Sequence, residues 1–317
     1  MGKIWSRGGK SAFLLVSMGV LFSCQFKIKA RPNEDSGFTF LVSCDMRQFA
    51  KPEYRDGRHF AQVVQAIVDA GAGEFMVSPG DIDPPWHIRE VLDSLIGADY
   101  AWYPVIGNHE AETSEDMAWL REYNAGGDKL PGIIRTGPEG SVETTFSFDY
   151  GPAHFSVINQ YYDGSSDIGT NGDVVDELYE WLAADLAAST KPYKIVAGHE
   201  PVVPVPDESS GRVRHADDSL NEHEENNARF MALLREHDAV YLCGHTHNAS
   251  VSYLNGVWQL DSGHSRGVGD MGAPSTFMRV TVGDGTPEVE LWRDDGSGSN
   301  YTLRSTWTLH GAGPAGE

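Results

Sequence analysis

The chain has 317 residues, of which 40% are hydrophobic and 22% are charged. That length is sufficient for one large globular domain or two small ones, each with a buried core. The formal net charge of −22 excludes the basic surface that duplex nucleic acid requires, so we expect a solvated acidic surface, with a few carboxylates available for a cation site.

The first 23 residues are typical of an export signal. Lys3, Arg7 and Lys10 precede an uncharged apolar run over residues 11–22. This run is too short to span a bilayer, which takes about 20 residues, but it matches the hydrophobic segment of a signal peptide. The sequence therefore predicts a protein that acts outside the cytoplasm.

The end of the apolar run carries a second signal. The segment Leu21-Phe22-Ser23-Cys24 resembles the lipobox of bacterial lipoproteins, in which the cysteine is acylated and becomes the mature N-terminus. This resemblance implies lipidation of Cys24, a polar tether over residues 24–36, and a periplasmic or cell-surface lipoprotein that meets a membrane only through its lipid. Cleavage near Ala30, which would release a secreted protein, is the alternative.

From residue 37 onward, strand and helix patterns alternate. Strands are predicted at 38–44, 75–78, 102–106, 194–197 and 240–243, a hairpin at 146–158, and helices at 60–68, 87–96, 174–188 and 228–235. The segment 251–307 is almost entirely strand-like. Alternation followed by strands predicts a layered α/β fold, and no linker divides the predicted domain at 37–310.

Polar residues follow five of these predicted strands, at the position where ligands gather in α/β folds. The segments are Asp45, Gly80-Asp81-Ile82-Asp83, Gly107-Asn108-His109-Glu110, Gly198-His199-Glu200 and Gly244-His245-Thr246-His247. Each supplies a side chain that can bind or neutralise a divalent cation. Any one of these motifs is a weak signal, but five complementary ones at strand ends indicate a metal site.

In this order, the motifs resemble those of the calcineurin-like metallophosphoesterase family. Together with the N-terminal signal, they make the chain resemble an exported bacterial member of that family. The resemblance covers nearly the whole mature chain and implies an α/β fold, a four-layer β-sandwich of mixed sheets flanked by helices. It implies that Asp81 bridges two metals and that His109 is the catalytic histidine. The other implied ligands are Asn108, His199 and His245 for the second metal, and Asp45 and His247 for the first.

The chemistry of these residues agrees with that resemblance. Carboxylates and imidazoles together suit two divalent ions, with Mn, Fe or Zn expected. Two cations about 3.5–4 Å apart can activate a hydroxide for attack on phosphorus. His109, as an imidazolium, would stabilise phosphoryl oxygens or protonate the leaving alkoxide. We therefore expect metal-dependent hydrolysis of small phosphate monoesters or diesters, with a catalytically degenerate surface lipoprotein in a binding role as the alternative.

The first motif departs from the family pattern. The family has Asp-x-His, whereas this chain has Asp45-Met46-Arg47, and arginine is not a metal ligand. The purple acid phosphatase branch places a tyrosine where this chain has Pro84. Three explanations stay open: Gln48 or Asp83 supplies the ligand, the first site is weak, or the site is inactive. Arg47 would then be free to hold a phosphate oxygen.

Several residues outside the motifs are further candidates. The polar connection 202–227 either rims the site, with His215 as a candidate substrate-binding residue, or forms a disordered surface loop. Trp86 and His264 could line the cleft, although we expect a structural role for each. Cys44 and Cys243 are expected to be buried thiols, with a disulfide between them as the alternative.

Overall fold

The computed structural model describes residues 1–2, 37–47, 58–267, 272–283 and 285–310. Residues 3–23 of the predicted signal peptide, the predicted lipidation site Cys24, the tether 24–36 and the candidate ligand Gln48 lie outside those ranges and stay predictions. All elements given below belong to residues 32–317, which form one compact unit. Within the described ranges, every helix is too short or too polar to cross a membrane.

The secondary structure contains helices and strands in this order: β1 (Phe38–Val42), α1 (Arg58–Ala70), β2 (Phe75–Ser78), α2 (Pro85–Leu95), β3 (Ala101–Pro104), α3 (Asn108–Ala111), α4 (Ser114–Tyr123), β4 (Ile133–Thr136), β5 (Phe146–Tyr150), β6 (Ala153–Val157), α5 (Asp176–Ala188), β7 (Tyr193–Ala197), α6 (Glu224–Glu236), β8 (Val240–Cys243), β9 (Ala249–Leu254), β10 (Val257–Ser262), β11 (Thr276–Val282), β12 (Glu288–Asp294) and β13 (Tyr301–Thr308).

The strands form two mixed sheets. The first has the order β13-β12-β11-β1-β2-β3, with β1, β2 and β3 parallel and the remaining pairs antiparallel. The second has the order β4-β5-β6-β7-β8-β10-β9, with β6, β7, β8 and β10 parallel. Each sheet therefore has a parallel part whose strand ends deliver several loops to one edge.

Three hydrophobic cores define four layers. The core between the sheets is rich in aromatic rings: Phe148 stacks on Phe155 with centroids 4.7 Å apart, and Tyr103 stacks on Phe148 at 3.8 Å. A second core lies between the first sheet and helices α1, α2 and α4, and a third lies between the second sheet and helices α5 and α6. The predicted four-layer sandwich of mixed sheets flanked by helices is confirmed.

Strand β1 shows why its sequence is an almost continuous apolar run. Phe40 and Val42 contribute to the core between the sheets, and Leu41 contributes to the core beneath the helices. A strand that is covered on both faces has no polar face, so the run FTFLV lacks the alternation of a surface strand.

The structure adds elements that the sequence did not predict. Helix α3 is a single turn, and α4 carries acidic residues in its first turn. Strand β4 is a short edge strand in which Ile134 is exposed. The alternative of a disulfide is wrong, because Cys44 and Cys243 are both free and buried.

Candidate metal centre

The carboxyl ends of β1, β2 and β8 bring three predicted ligands into one buried group. One ligand atom each from Asp45, Asp81 and His247 lies within 4.8 Å of the other two. His247 Nε2 is 3.4 Å from Asp45 Oδ1. All three residues are buried. They are the three residues that the sequence predicted around the first metal.

A second group of predicted ligands also includes Asp81. His199 Nε2 is 3.4 Å from Asp81 Oδ1 and 3.3 Å from the Asn108 side-chain oxygen. The ring of His245 lies 5.1 Å from the ring of His199. Asp81 thus contacts both groups, as expected of a carboxylate that bridges two cations.

Backbone carbonyls fix the proton positions on two of the histidines. The carbonyl of Pro79 accepts from His199 Nδ1 at 2.7 Å, and the carbonyl of Asp218 accepts from His245 Nε2 at 2.7 Å. A carbonyl can only accept, so each ring donates at that nitrogen and carries a lone pair on the other. Burial lowers the pKa of both histidines, to about 4 for His199, so both rings are neutral at pH 7, as metal binding requires.

The donor set fits divalent cations. Asp45 Oδ1 is buried and accepts no hydrogen bond, and burial together with the nearby Asp81 raises the pKa of Asp45. The lone pair of His199 Nε2 faces the oxygen of Asp81 rather than a proton donor. A cation between such atoms would offset the cost of burying them, and carboxylate, amide and imidazole groups are all donors to divalent cations.

The backbone is strained at most of these ligands. Asp45, Asp81, His245 and His247 all have φ between 51° and 68°, a left-handed conformation that costs a residue with a β-carbon about 1–3 kcal/mol. Such strain persists only where the surrounding structure enforces it, and it clusters at functional sites. Gly107 is required for a different reason, the lack of space for a side chain. A β-carbon there would overlap the backbone nitrogen and carboxylate of Asp81.

Two buried side chains hold the ligand loops in place. Glu110 accepts hydrogen bonds from three backbone N–H groups, those of Asp81 at 3.0 Å, Ile82 at 2.8 Å and Gly107 at 2.8 Å. Gln160 Oε1 accepts from the N–H of His199 at 2.7 Å and from the next N–H of the same loop at 2.7 Å. The sequence pattern predicted neither role. Glu110 adjoins a motif histidine, whereas nothing in the sequence around Gln160 marks it.

Asp45 joins the two sheets at the site. Its Oδ2 accepts from the backbone N–H of His245 at 3.0 Å and from the thiol of Cys44 at 2.9 Å. Burial raises the pKa of Cys44, so this thiol stays protonated and acts as a donor. The first sheet therefore supplies the carboxylate, and the second sheet supplies the amide that orients it.

Arg47 occupies the place of the missing histidine ligand. Its Nε donates to both oxygens of Asp83, at 3.0 and 3.1 Å, and its NH1 donates to His109 Nε2 at 2.7 Å. Asp83 is thus engaged by Arg47 and does not belong to the group formed by Asp45, Asp81 and His247. The geometry gives no support to Asp83 as a replacement ligand.

His109 lies between Arg47 and the bridging carboxylate. Its Nε2 is 3.5 Å from Asp81 Oδ2 and accepts from Arg47, while its Nδ1 is 3.4 Å from Glu112. Burial and the charge of Arg47 lower the pKa of His109 to about 3. In this arrangement the ring is neutral, and its expected role as an imidazolium stays a prediction.

The connection 202–227 packs against the site. The ring of His215 lies 4.1 Å from the ring of His245, and His215 Nδ1 pairs with Asp218 at 2.9 Å. The metal-ligating atoms of His215, Asp218 and His245 also lie within 4.8 Å of one another. Arg212 donates to the carbonyl of His247 at 2.9 Å, and Leu220 is buried. These contacts favour a rim over a disordered loop.

Of the two other cleft candidates, His264 lies close to a motif residue. The ring of His264 lies 5.9 Å from that of His247, and its Nε2 pairs with the carbonyl of Ala273 at 2.9 Å, which supports a structural role. Trp86 contacts His87 at the start of α2, with ring centroids 6.0 Å apart.

Residues 58–249, more than half of the chain, match the family model of the calcineurin-like phosphoesterases. The chain belongs to the calcineurin-like phosphoesterase family. The matched segment contains four of the five motifs and begins after Asp45 and Arg47, so the departure at the first motif lies outside it. Membership of this family supports metal-dependent phosphoester hydrolysis as the activity. Members of the family usually bind two metal ions in a dinuclear site.

The structure of PhoD shares this fold, and two further solved structures show a weaker similarity. The structure of PhoD is 13% identical, with a TM-score of 0.58 over 88% of this chain and 71% of its own. A Staphylococcus aureus protein named as a 5'-nucleotidase, in complex with α-ketoglutarate, is 16% identical, with a TM-score of 0.46 over 86% of this chain and 54% of its own. A single mutant of Vps29 from Entamoeba histolytica is 12% identical, with a TM-score of 0.41 over 86% and 99%. No curated protein sequence matches this chain.

Proposed function

We propose that this chain hydrolyses small phosphate monoesters or diesters outside the cytoplasm, with two divalent cations held on either side of Asp81. The observation that carries this proposal is the position of Asp81, which contacts His199 on one side and forms a buried group with Asp45 and His247 on the other. When bound, two such cations activate water and polarise the phosphoryl group.

The chain's own residues hold and orient the reactants. Asn108 and His199, which lie next to Asp81, and His245, whose ring lies beside that of His199, would hold the second cation with Asp81. Among the described residues, the group that would hold the first cation has three members, Asp45, Asp81 and His247. We infer a weaker first site from this difference. Arg47, fixed by Asp83, supplies a permanent positive charge beside His109 that suits a phosphoryl oxygen.

The location outside the cytoplasm is supported by the sequence of residues 1–24, in which basic residues, an apolar run and Cys24 follow one another. A lipid on Cys24 would give the protein a membrane anchor, and cleavage near Ala30 would release it. Mass spectrometry of the mature N-terminus tests this part. An acylated Cys24 would establish the anchor, and an unprocessed Met1 would contradict export.

Hydrolysis of two aryl esters tests the activity. We expect the purified protein, supplied with Mn²⁺, to hydrolyse an aryl phosphate monoester or an aryl phosphodiester. Asn108→Ala should lower kcat/KM about a hundredfold, because it removes an oxygen ligand of the second cation. Asn300→Ala, an exposed change between β12 and β13, is the matched control and should leave kcat/KM unchanged.

The alternative function is binding without catalysis, and the replacement of a ligand by Arg47 is the observation that favours it. If the wild-type protein binds Mn²⁺, Fe²⁺ or Zn²⁺ and turns over neither ester with any of them, the binding role replaces the enzymatic one.

A further inference from the structure

Two residues of the connection 202–227, His215 and Asp218, bring metal-ligating atoms close to the predicted ligand His245. One ligand atom from each of the three residues lies within 4.8 Å of those from the other two. The ring centroids of His215 and His245 are 4.1 Å apart, and those of His245 and His199 are 5.1 Å apart. Three imidazole rings are therefore neighbours at the second group of predicted ligands.

Asp218 sets the proton position on the ring of His215. Its Oδ2 lies 2.9 Å from His215 Nδ1, and a carboxylate accepts hydrogen bonds. With Nδ1 as the donor, the neutral ring of His215 carries its lone pair on Nε2. Histidines that bind metal ions usually donate their other ring nitrogen to a carboxylate or a carbonyl in this way. Asp218 also orients His245, whose Nε2 donates to its backbone carbonyl at 2.7 Å.

The backbone at His215 has the same unusual conformation as the backbone at the predicted ligands. Its φ is 53°, and that of His245 is 68°. A left-handed conformation of this kind persists only where the surrounding structure enforces it. The carbonyl of His215 accepts from the hydroxyl of Ser219 at 3.2 Å, and Ser219 is buried. The turn that carries His215 is therefore held from within.

The connection is also tied to the loop that carries His247. Arg212 donates to the backbone carbonyl of His247 at 2.9 Å. The carboxylate of Asp207 accepts from the N–H of Ala249 at 2.9 Å. Because these bonds hold residues 207–212 against the fifth motif, His215, three residues further along, is kept beside the site.

We propose that His215 is a further protein ligand of the second cation, so that three imidazoles, those of His199, His215 and His245, bind it. This inference rests on the proposed function, because it adds a ligand to a cation site which that function requires. Two nitrogens that bind one zinc-sized ion are at most about 4.2 Å apart, since each bond is about 2.1 Å long. From the 4.8 Å limit, a small side-chain movement brings the ligand atoms of His215 and His245 to that separation.

A third imidazole has a consequence for the choice of cation. Imidazole nitrogens suit Zn²⁺ and Fe²⁺, whereas carboxylate and carbonyl oxygens suit Mg²⁺ and Mn²⁺. Co²⁺ binds nitrogen ligands more tightly than Mn²⁺ does. The second site should therefore prefer Zn²⁺ and Co²⁺ to Mn²⁺, and this preference should depend on His215.

Cation binding in the absence of any ester tests this inference separately from the proposed function. We would titrate the metal-free protein with Zn²⁺, Co²⁺ and Mn²⁺ by calorimetry, in wild type and in His215→Gln and Asp218→Asn. The visible absorption spectrum of the Co²⁺ protein reports the ligands of the bound ion. His215 is 23% exposed and Asp218 is 60% exposed, so both variants should fold.

Two matched controls accompany these variants. His310→Gln replaces an exposed histidine that follows β13. Asp217→Asn removes the same charge as Asp218→Asn, one position earlier in the chain. Both controls should bind the three cations as the wild type does.

We expect His215→Gln to weaken the tighter binding event for Zn²⁺ and Co²⁺ on the order of a hundredfold, and for Mn²⁺ by tenfold or less. Asp218→Asn should weaken Zn²⁺ binding about tenfold, because an amide orients the ring of His215 less strongly than a carboxylate. The Co²⁺ spectrum should change in His215→Gln and keep its wild-type form in the controls.

Three results would overturn the inference. The first is wild-type Zn²⁺ affinity and a wild-type Co²⁺ spectrum in His215→Gln. The second is unchanged cation binding with weaker binding of inorganic phosphate, which would assign His215 to the substrate instead. The third is an equal loss for Zn²⁺ and Mn²⁺ with an unchanged Co²⁺ spectrum, which would show only a loosened connection. If His215→Gln does not fold, Asp218→Asn decides by the same criteria.

Failure of the proposed function is a distinct result. If the wild type binds these cations and hydrolyses neither aryl ester, the proposed function fails, and the cation affinities and the Co²⁺ spectrum still decide the role of His215. A wild type that binds none of the three cations would overturn both.

Discussion

Glu110 shows at the residue scale how a side chain that touches no substrate can shape the site. Its carboxylate collects the N–H groups of Asp81, Ile82 and Gly107, and so joins the loop after β2 to the loop after β3. Without these bonds, the left-handed backbone of Asp81 would lose much of its support.

Glu110→Gln should destabilise the protein by about 2–3 kcal/mol, because an NH₂ group replaces one of the two acceptor oxygens and faces backbone N–H donors. Urea unfolding measures this loss. Glu115→Gln, on the exposed side of α4, is the matched control. Equal midpoints for wild type and Glu110→Gln would show that Glu110 does not hold the loops.

The sequence predicted the metal ligands more readily than the side chains that hold the ligand loops in place. Asp45, Asp81, Asn108, His199, His245 and His247 are marked by residue type and by their positions after strands. Gln160, in contrast, reaches the His199 loop only because β6 and β7 are parallel neighbours. A contact that depends on the packing of two strands produces no pattern in the local sequence, so the sequence did not predict it.

At the scale of elements, a buried charged network joins the hairpin β5–β6 to helix α5. His154 donates to Asp149 at 2.8 Å and to Asp185 at 3.0 Å, and Ser147 and Ser156 each donate to Asp185 at 2.7 Å. Burial alone would lower the pKa of His154, but the hydrogen bonds to the two carboxylates outweigh it and raise the pKa to about 9. Arg135, 4.0 Å from Asp185, is the other charge that faces this network.

The protonated ring of His154 therefore stabilises the fold in a defined pH window. Its folded pKa lies above the ordinary value of about 6.5, so its contribution is complete below pH 6.5 and is lost as the pH rises through 9. We expect the free energy of unfolding to fall by roughly 3 kcal/mol over that range from this group alone.

Denaturant unfolding at pH 6.5 and pH 9.5 checks this prediction. His154→Gln should be less stable than the wild type at pH 6.5 and should lose much less stability between the two pH values. His237→Gln, at the end of α6, keeps the wild-type pH dependence if the effect belongs to His154. A variant His154→Gln with the wild-type slope would rule out this role.

The sequence predicted those elements whose own pattern is strong and missed those that depend on their neighbours. Helix α5 carries Leu178, Leu182 and Leu186 on one buried face and is visible as a periodic pattern. Helix α4 buries only Met117 and Leu120 of its apolar side chains, together with Asp116, so its periodicity is weak. Edge strand β4 is partly exposed along its length and gives almost no signal.

At the scale of the whole molecule, the site exists only where the two sheets meet. The first sheet supplies Asp45 and Asp81, and the second supplies His199 and His245. Hydrogen bonds cross between the sheets here, among them those from the His245 N–H to Asp45 and from His199 Nδ1 to the carbonyl of Pro79. In the aromatic core beneath, Tyr103 of the first sheet stacks on Phe148 of the second at 3.8 Å, and such contacts set the distance between the sheets.

The sandwich could be inferred from the order of strands and helices together with the motifs. What the sequence could not supply is the side-chain arrangement where a motif departs from its family. Arg47 is an arginine in the place of a ligand, and only the structure shows that it lies between Asp83 and His109.

Calorimetric titration of the protein with Mn²⁺ is the most direct test of whether two cation sites share Asp81. We expect two binding events of unequal affinity in the wild type and in the surface control Asp99→Asn. Asp81→Asn should lose much of the affinity in both events, because both sites use this carboxylate. A wild-type protein that binds no cation, or an Asp81→Asn variant that binds Mn²⁺ as the wild type does, would show that Asp81 is not shared by two cations.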